Sequence, residues 1–88
     1  MRTFTIRSTE DAVPVIAALV TETIAAGGHD GHTLESVGAV MTSDAVLDRI
    51  RTAYDRHTGN GLTPKQAVIR VGQTVIATYC DRAGIPTG

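Results

Sequence analysis

The segment TPKQAVIRVGQTVIATYCDRAGIP, residues 63–86, decides the fold class because it encodes one complete helix together with both of its ends. Thr63 can cap the helix with its hydroxyl, Pro64 suits the first helical position, and Gln66 can reach back to the capping residue. At the other end, Gly84 favours the left-handed conformation that terminates a helix. These residues predict a long helix with a defined beginning and a defined end.

The helix predicted over 63–83 has apolar side chains around about half of its circumference, which is wider than the ~100° stripe of an ordinary surface helix. One side carries Val68, Val71, Val75 and Tyr79, and another side carries Ile69, Ile76 and Cys80. If the first set faces the core of the chain, the second set needs a different partner. The simplest such partner is a second copy of this chain.

A first helix is predicted over 11–26, with Asp11 as its cap. Its apolar residues recur at helical spacing, and Glu22 is the only charged residue within 12–26. A solvated helix face normally carries more charge than this. We therefore expect the first helix to be covered on two sides.

Two shorter helices are predicted between the first and the last, over 34–41 and 44–57. Thr33 and Ser43 stand directly before them as capping residues. The helix over 44–57 is clearly amphipathic, whereas Gly38 weakens the one before it. A strand over 37–41 remains the alternative for that segment.

The N-terminal residues 2–7 alternate between apolar and polar side chains, which is typical of a half-buried strand. Phe4 and Ile6 share one face, and Thr3, Thr5 and Arg7 share the other. A lone strand leaves its N–H and C=O groups without partners, so a second strand is needed. That strand is either segment 37–41 or residues 2–7 of another copy.

The sequence as a whole thus predicts a mainly α fold: one small four-helix domain over 1–88 with one N-terminal β-strand, forming a homodimer. With 88 residues and three aromatic side chains, the core is modest and the isolated chain marginally stable, which favours association. The residues predicted to form the interface are Val15, Leu19, Val68, Val75, Ile76 and Tyr79.

The net charge of −1 argues against bulk attraction to nucleic acid or to an anionic membrane. Cys80 is the only cysteine, so no intrachain disulfide forms, and its place among apolar residues predicts a buried, inert thiol. The apolar run 12–20 is too short to span a membrane. We expect a cytoplasmic protein, and its composition is typical of high-GC bacterial or phage genomes.

The opening strand and helix, residues 2–26, resemble the ribbon–helix–helix family of DNA-binding repressors and antitoxins. In that family, paired N-terminal strands of a dimer enter the major groove. The resemblance implies that Thr3, Thr5 and Arg7 would contact bases and that a DNA operator would be the partner. Against this, the acidic residues at the start of the first helix would lie close to phosphate.

The loop His29-Asp30-Gly31-His32 places two imidazoles and one carboxylate within four residues. His29, Asp30 and His32 are of the types that bind Zn²⁺, but the spacing of the sequence supplies no further ligand. A solvated loop is the simpler interpretation, so no metal and no cofactor is predicted.

No motif in the sequence identifies a reaction, and we expect the protein not to be an enzyme. The excess of apolar helix surface favours a small regulatory or protein–protein interaction module, homodimeric and encoded by a phage or another mobile element. Its partners would be a second copy and a further protein. DNA binding through the N-terminal strand is the alternative function, and metal binding by the 29–32 loop is the third.

Overall fold

A computed structural model describes residues 6–86 of the chain. These residues form four α-helices joined by short loops. The helices are α1 (Thr9–Ala26), α2 (Leu34–Met41), α3 (Asp44–Gly59) and α4 (Pro64–Ala83). The prediction of a mainly α fold with four helices is confirmed. The radius of gyration is 12.8 Å, close to the ~12 Å of a compact chain of this length.

The described residues contain no strand. Most of the strand predicted over 2–7 lies outside the described part of the chain, and its last two residues, Ile6 and Arg7, have no regular secondary structure. The alternative strand over 37–41 is wrong, because this segment forms the second half of α2. Gly38 therefore lies within a helix, and segment 37–41 does not supply the second strand.

The ends of α4 form as their local sequence predicts. The Thr63 hydroxyl accepts a hydrogen bond from the backbone N–H of Gln66, and the Gln66 side chain accepts one from the Thr63 N–H, which completes a capping box. Gly84 has φ 71°, and the N–H of Ile85 donates to the carbonyl of Cys80 at 2.8 Å. This backbone bond is the 6→1 bond of a Schellman motif. The side chains of the two residues, Cys80 and Ile85, are both buried.

The beginnings of the other helices differ in how they are capped. Thr33 forms a second capping box, as the sequence predicts for a capping residue. Ser43 precedes α3 as predicted, but its hydroxyl donates backwards to the carbonyl of Val40 and does not cap α3. The predicted cap of α1 is wrong, because Ser8 is the capping residue and Asp11 lies in the first turn. There the Asp11 carboxylate accepts from the N–H of Arg7.

Helix α1 is the centre of the fold, since it packs against each of the other three helices. Six of its residues are buried, namely Ala12, Val13, Ile16, Ala17, Val20 and Ile24. The expectation that this helix is covered on two sides therefore agrees with the packing. The covering helices belong to the same chain, so the apolar character of α1 does not by itself require a second copy.

Polar contacts at the surface tie α1 to α3. The Thr9 hydroxyl donates to the carboxylate of Asp55, close to the start of α1. The Arg51 guanidinium donates a hydrogen bond of 2.8 Å to Glu10 and another of 2.8 Å to Asp48. All of these groups are at least partly exposed, so the contacts orient the two helices more than they stabilise them.

Candidate functional site

An open groove runs between the first half of α3 and the second half of α4, and the end of α2 also contributes to its lining. Its volume is about 450 Å³, within the range of ligand-binding clefts. It is lined by Val40, Met41, Val46, Arg49, Ala53, Val71, Thr74, Val75, Thr78, Tyr79, Arg82 and Ala83. We call this feature the α3/α4 groove.

The surface of the α3/α4 groove is mostly apolar, and its two charged residues are Arg49 and Arg82. The hydroxyl of Thr74 donates to the carbonyl of Arg70 and that of Thr78 donates to the carbonyl of Thr74, so neither proton is available to a ligand. Each threonine can still offer a ligand its methyl group and, as an acceptor, its hydroxyl oxygen. The groove therefore suits an apolar ligand that carries negative charge.

One wall of the groove is held in place by the loop before α2. The hydroxyl of Tyr79 lies 2.6 Å from Nδ1 of His32, and the two rings meet edge to face with centroids 5.5 Å apart. Both side chains are half-buried. This contact gives the side chain of Tyr79, one residue of the groove wall, a hydrogen-bond partner outside α4.

The six predicted interface residues are divided among four environments. Val75 and Tyr79 line the α3/α4 groove. Val68 is 7% exposed and belongs to the core, so it offers almost no surface to a partner. Val15 and Ile76 are half-buried against that core, and Leu19 is exposed.

The residues predicted to contact DNA are only partly described. Thr3 and Thr5 lie outside the described residues. Arg7 is exposed, and its backbone N–H donates to Asp11 at 3.1 Å. The carboxylate of Asp11 thus lies beside Arg7, the one described residue of the three predicted to contact DNA.

The predicted metal candidates His29, Asp30 and His32 stay in one loop between α1 and α2. Within residues 6–86, no three His, Cys, Asp or Glu side chains come together in an arrangement able to hold a metal ion. Nδ1 of His32 already shares a hydrogen bond with the hydroxyl of Tyr79. Cys80 is buried, in agreement with the sequence prediction.

A second hollow lies where α1 meets α2 and α3, and its lining includes Arg51 and one of its ion-pair partners, Glu10. The hydrogen bond to Glu10 and the attraction of the neighbouring carboxylates raise the pKa of the Arg51 guanidinium. Its charge is matched by Glu10 and Asp48, so this hollow offers a ligand less electrostatic attraction than the α3/α4 groove does.

Sequence reasoning missed Arg49 and Arg82, the two charged residues of the groove. A local signal exists in α3, because Val46, Arg49 and Ala53 share one side of a helix with 3.6 residues per turn. Nothing in the local sequence shows that this side faces the C-terminal half of α4. The pairing of the two sides is a tertiary property.

Comparison of the chain with protein-family models, with curated proteins and with solved structures finds no match. Among the described helices, none has the length and apolar character needed to cross a membrane. Inferences about function therefore depend on the geometry of the molecule itself.

Proposed function

We propose that this protein is a small non-enzymatic interaction module, of regulatory type, that recognises a protein partner through the α3/α4 groove. The observation that carries the proposal is the groove itself: an apolar channel between two helices, open to solvent, in a chain whose core is modest. Apolar concavities of this size on a small domain are typical binding sites. Two residues predicted as interface from sequence, Val75 and Tyr79, line it.

The predicted homodimer is a separate part of the proposal. Its support is the apolar surface that the helices leave exposed outside the groove. Leu19 on α1 is 41% exposed and Ile69 on α4 is 50% exposed, and these two helices pack against each other. Light scattering after gel filtration tests it, and a monomer at all attainable concentrations would remove the homodimer from the proposal.

Site-specific photo-crosslinking tests the interaction module directly. A benzophenone amino acid replaces Thr78, which lines the groove. The same amino acid in place of Gln73, which is exposed on α4 outside the groove, serves as the control. In the organism that encodes the chain, we expect a protein adduct from Thr78 and none from Gln73. If Thr78 gives no adduct, or the same adducts as Gln73, the groove is not the partner site.

The DNA-binding alternative stays a prediction, because Thr3 and Thr5 lie outside the described residues. Its measurement is salt-sensitive DNA binding by the full chain, lost in Arg7→Ala. Absence of any such binding in the unmodified chain would end it.

A further inference from the structure

The charges of the α3/α4 groove are all of one sign. Arg49 contributes from α3 and Arg82 from α4, while no carboxylate in residues 6–86 lines the groove. The whole chain has nine acidic and eight basic residues, so this imbalance is local. Within the described residues, neither arginine forms an ion pair.

The nearest carboxylate in sequence to Arg49 is directed to another arginine. Asp48 accepts from Arg51 at 2.8 Å, and Arg51 also bonds to Glu10 on α1. With 3.6 residues per turn, Arg51 lies on the side of α3 opposite to Arg49. Glu10 and Asp48 thus neutralise the charge of Arg51 where α1 meets α3, and the groove keeps a net positive charge.

This charge pattern favours a different partner over a second copy seated groove to groove. If a two-fold axis passed through the groove, the two arginines of one groove would face the two arginines of the other. Like charges at an interface suppress such pairing. A partner with negative charges beside an apolar stripe has the complementary pattern.

We propose that the occupant of the α3/α4 groove is an amphipathic helix of another protein, with Asp or Glu residues flanking its apolar stripe. This inference rests on the proposed interaction function and adds the chemistry of the partner. The apolar residues, at i, i+3/i+4 and i+7, fill the space between α3 and α4. The flanking carboxylates accept paired hydrogen bonds from the guanidinium groups of Arg49 and Arg82.

The test is a display library of helical peptides that share one apolar stripe and carry Glu, Gln or Lys at the flanking positions, selected against the full chain. We expect the bound peptides to be rich in Glu. In fluorescence anisotropy, a Glu-flanked peptide should bind roughly tenfold more tightly than its Lys-flanked counterpart, with a difference that shrinks as salt is added.

A charge-reversal variant gives the decisive control. In Arg49→Glu/Arg82→Glu the preference should invert toward the Lys-flanked peptide. Arg70→Glu, which reverses a charge on α4 outside the groove, should leave the preference unchanged. Circular dichroism verifies that each variant is folded. The proposal is overturned if the library yields no binder, if the binders lack Glu, or if the preference survives the double reversal. It is also overturned if no peptide binds but laurate, an apolar chain with a carboxylate, does.

The two experiments fail independently. A specific crosslink from Thr78 combined with Lys-flanked binders would keep the interaction module and reject the acidic helix. Glu-flanked binders without any crosslink in cells would keep the chemistry of the groove and reject the proposed function.

Discussion

Two apolar residues of α1 should differ sharply in their contribution to stability. Ile16 is fully buried where α1 meets the other helices, whereas Leu19, three residues later, is 41% exposed. Ile16→Ala removes three carbons from the core and leaves a cavity, which costs about 3 kcal/mol within a usual range of ~2–5 kcal/mol. Leu19→Ala leaves no closed cavity and removes a side chain that is only partly buried, so its cost should stay below about 1 kcal/mol.

Thermal and urea unfolding, followed by circular dichroism, measure both effects. For a domain of this size 1 kcal/mol shifts Tm by roughly 4–8 °C, so Ile16→Ala should lower Tm by roughly 12–24 °C. If that variant does not fold, Ile16→Val provides a milder form with an expected cost of about 1 kcal/mol. Leu19→Ala should lower Tm by no more than Ile16→Val does.

The sample must be monomeric by light scattering for this comparison to be meaningful. Equal destabilisation by Leu19→Ala and Ile16→Ala under that condition would refute the placement of α1 at the centre of a four-helix core. If Leu19→Ala instead lowers Tm only at high protein concentration, Leu19 contributes to an association surface. The same pair of variants therefore tests the fold and the proposed homodimer.

Three further predictions concern helix ends, glycines and pH. Thr63→Ala breaks a capping box and should lower the free energy of unfolding in urea by about 1 kcal/mol. Ser43→Ala removes no capping bond and should lower it clearly less. Equal losses would contradict the capping assignment. Gly84→Ala should destabilise the protein by about 1–2 kcal/mol because the φ of Gly84 is 71°. Gly72→Ala within α4 should stabilise it by about 0.5–1 kcal/mol, since an added Cβ meets no atom within 4 Å. The opposite order of Tm values would refute this. Burial and a neighbouring carboxylate raise the pKa of Tyr54 above its ordinary value near 10, so the unfolded chain loses this proton first and stability falls as pH rises beyond about 10. Tyr54→Phe should flatten this alkaline decline, and an unchanged slope would show that another group causes it.

The ends of the helices could be predicted because they depend on neighbouring residues. Thr63 and Gln66 cap each other over three residues, and Gly84 ends α4 through bonds to carbonyls in the preceding turn. The cap of α1 was missed because Ser8 and Asp11 are both good capping residues three positions apart. Local sequence allows either choice, and the contact of Thr9 with Asp55 on α3 lies outside any local window.

The apolar surplus of α1 and α4 was visible in the sequence, but its destination was not. Helical spacing shows that a residue such as Val20 or Ile69 lies on a given side of its helix. It does not show whether that side meets the same chain or another molecule. In the folded chain Val20 is fully buried under neighbouring helices, while Ile69 remains half exposed.

By itself the sequence determined four helices, most of their ends and the apolar sides from which the core is made, because these depend on bonds and spacings within a few residues. Only the tertiary structure decided that α1 lies at the centre and that α3 and α4 enclose a groove with Arg49 and Arg82 on its walls. The physical reason is that packing joins residues far apart in the chain. Which apolar sides meet depends on how the helices cross, and a linear pattern of side chains does not encode that crossing locally.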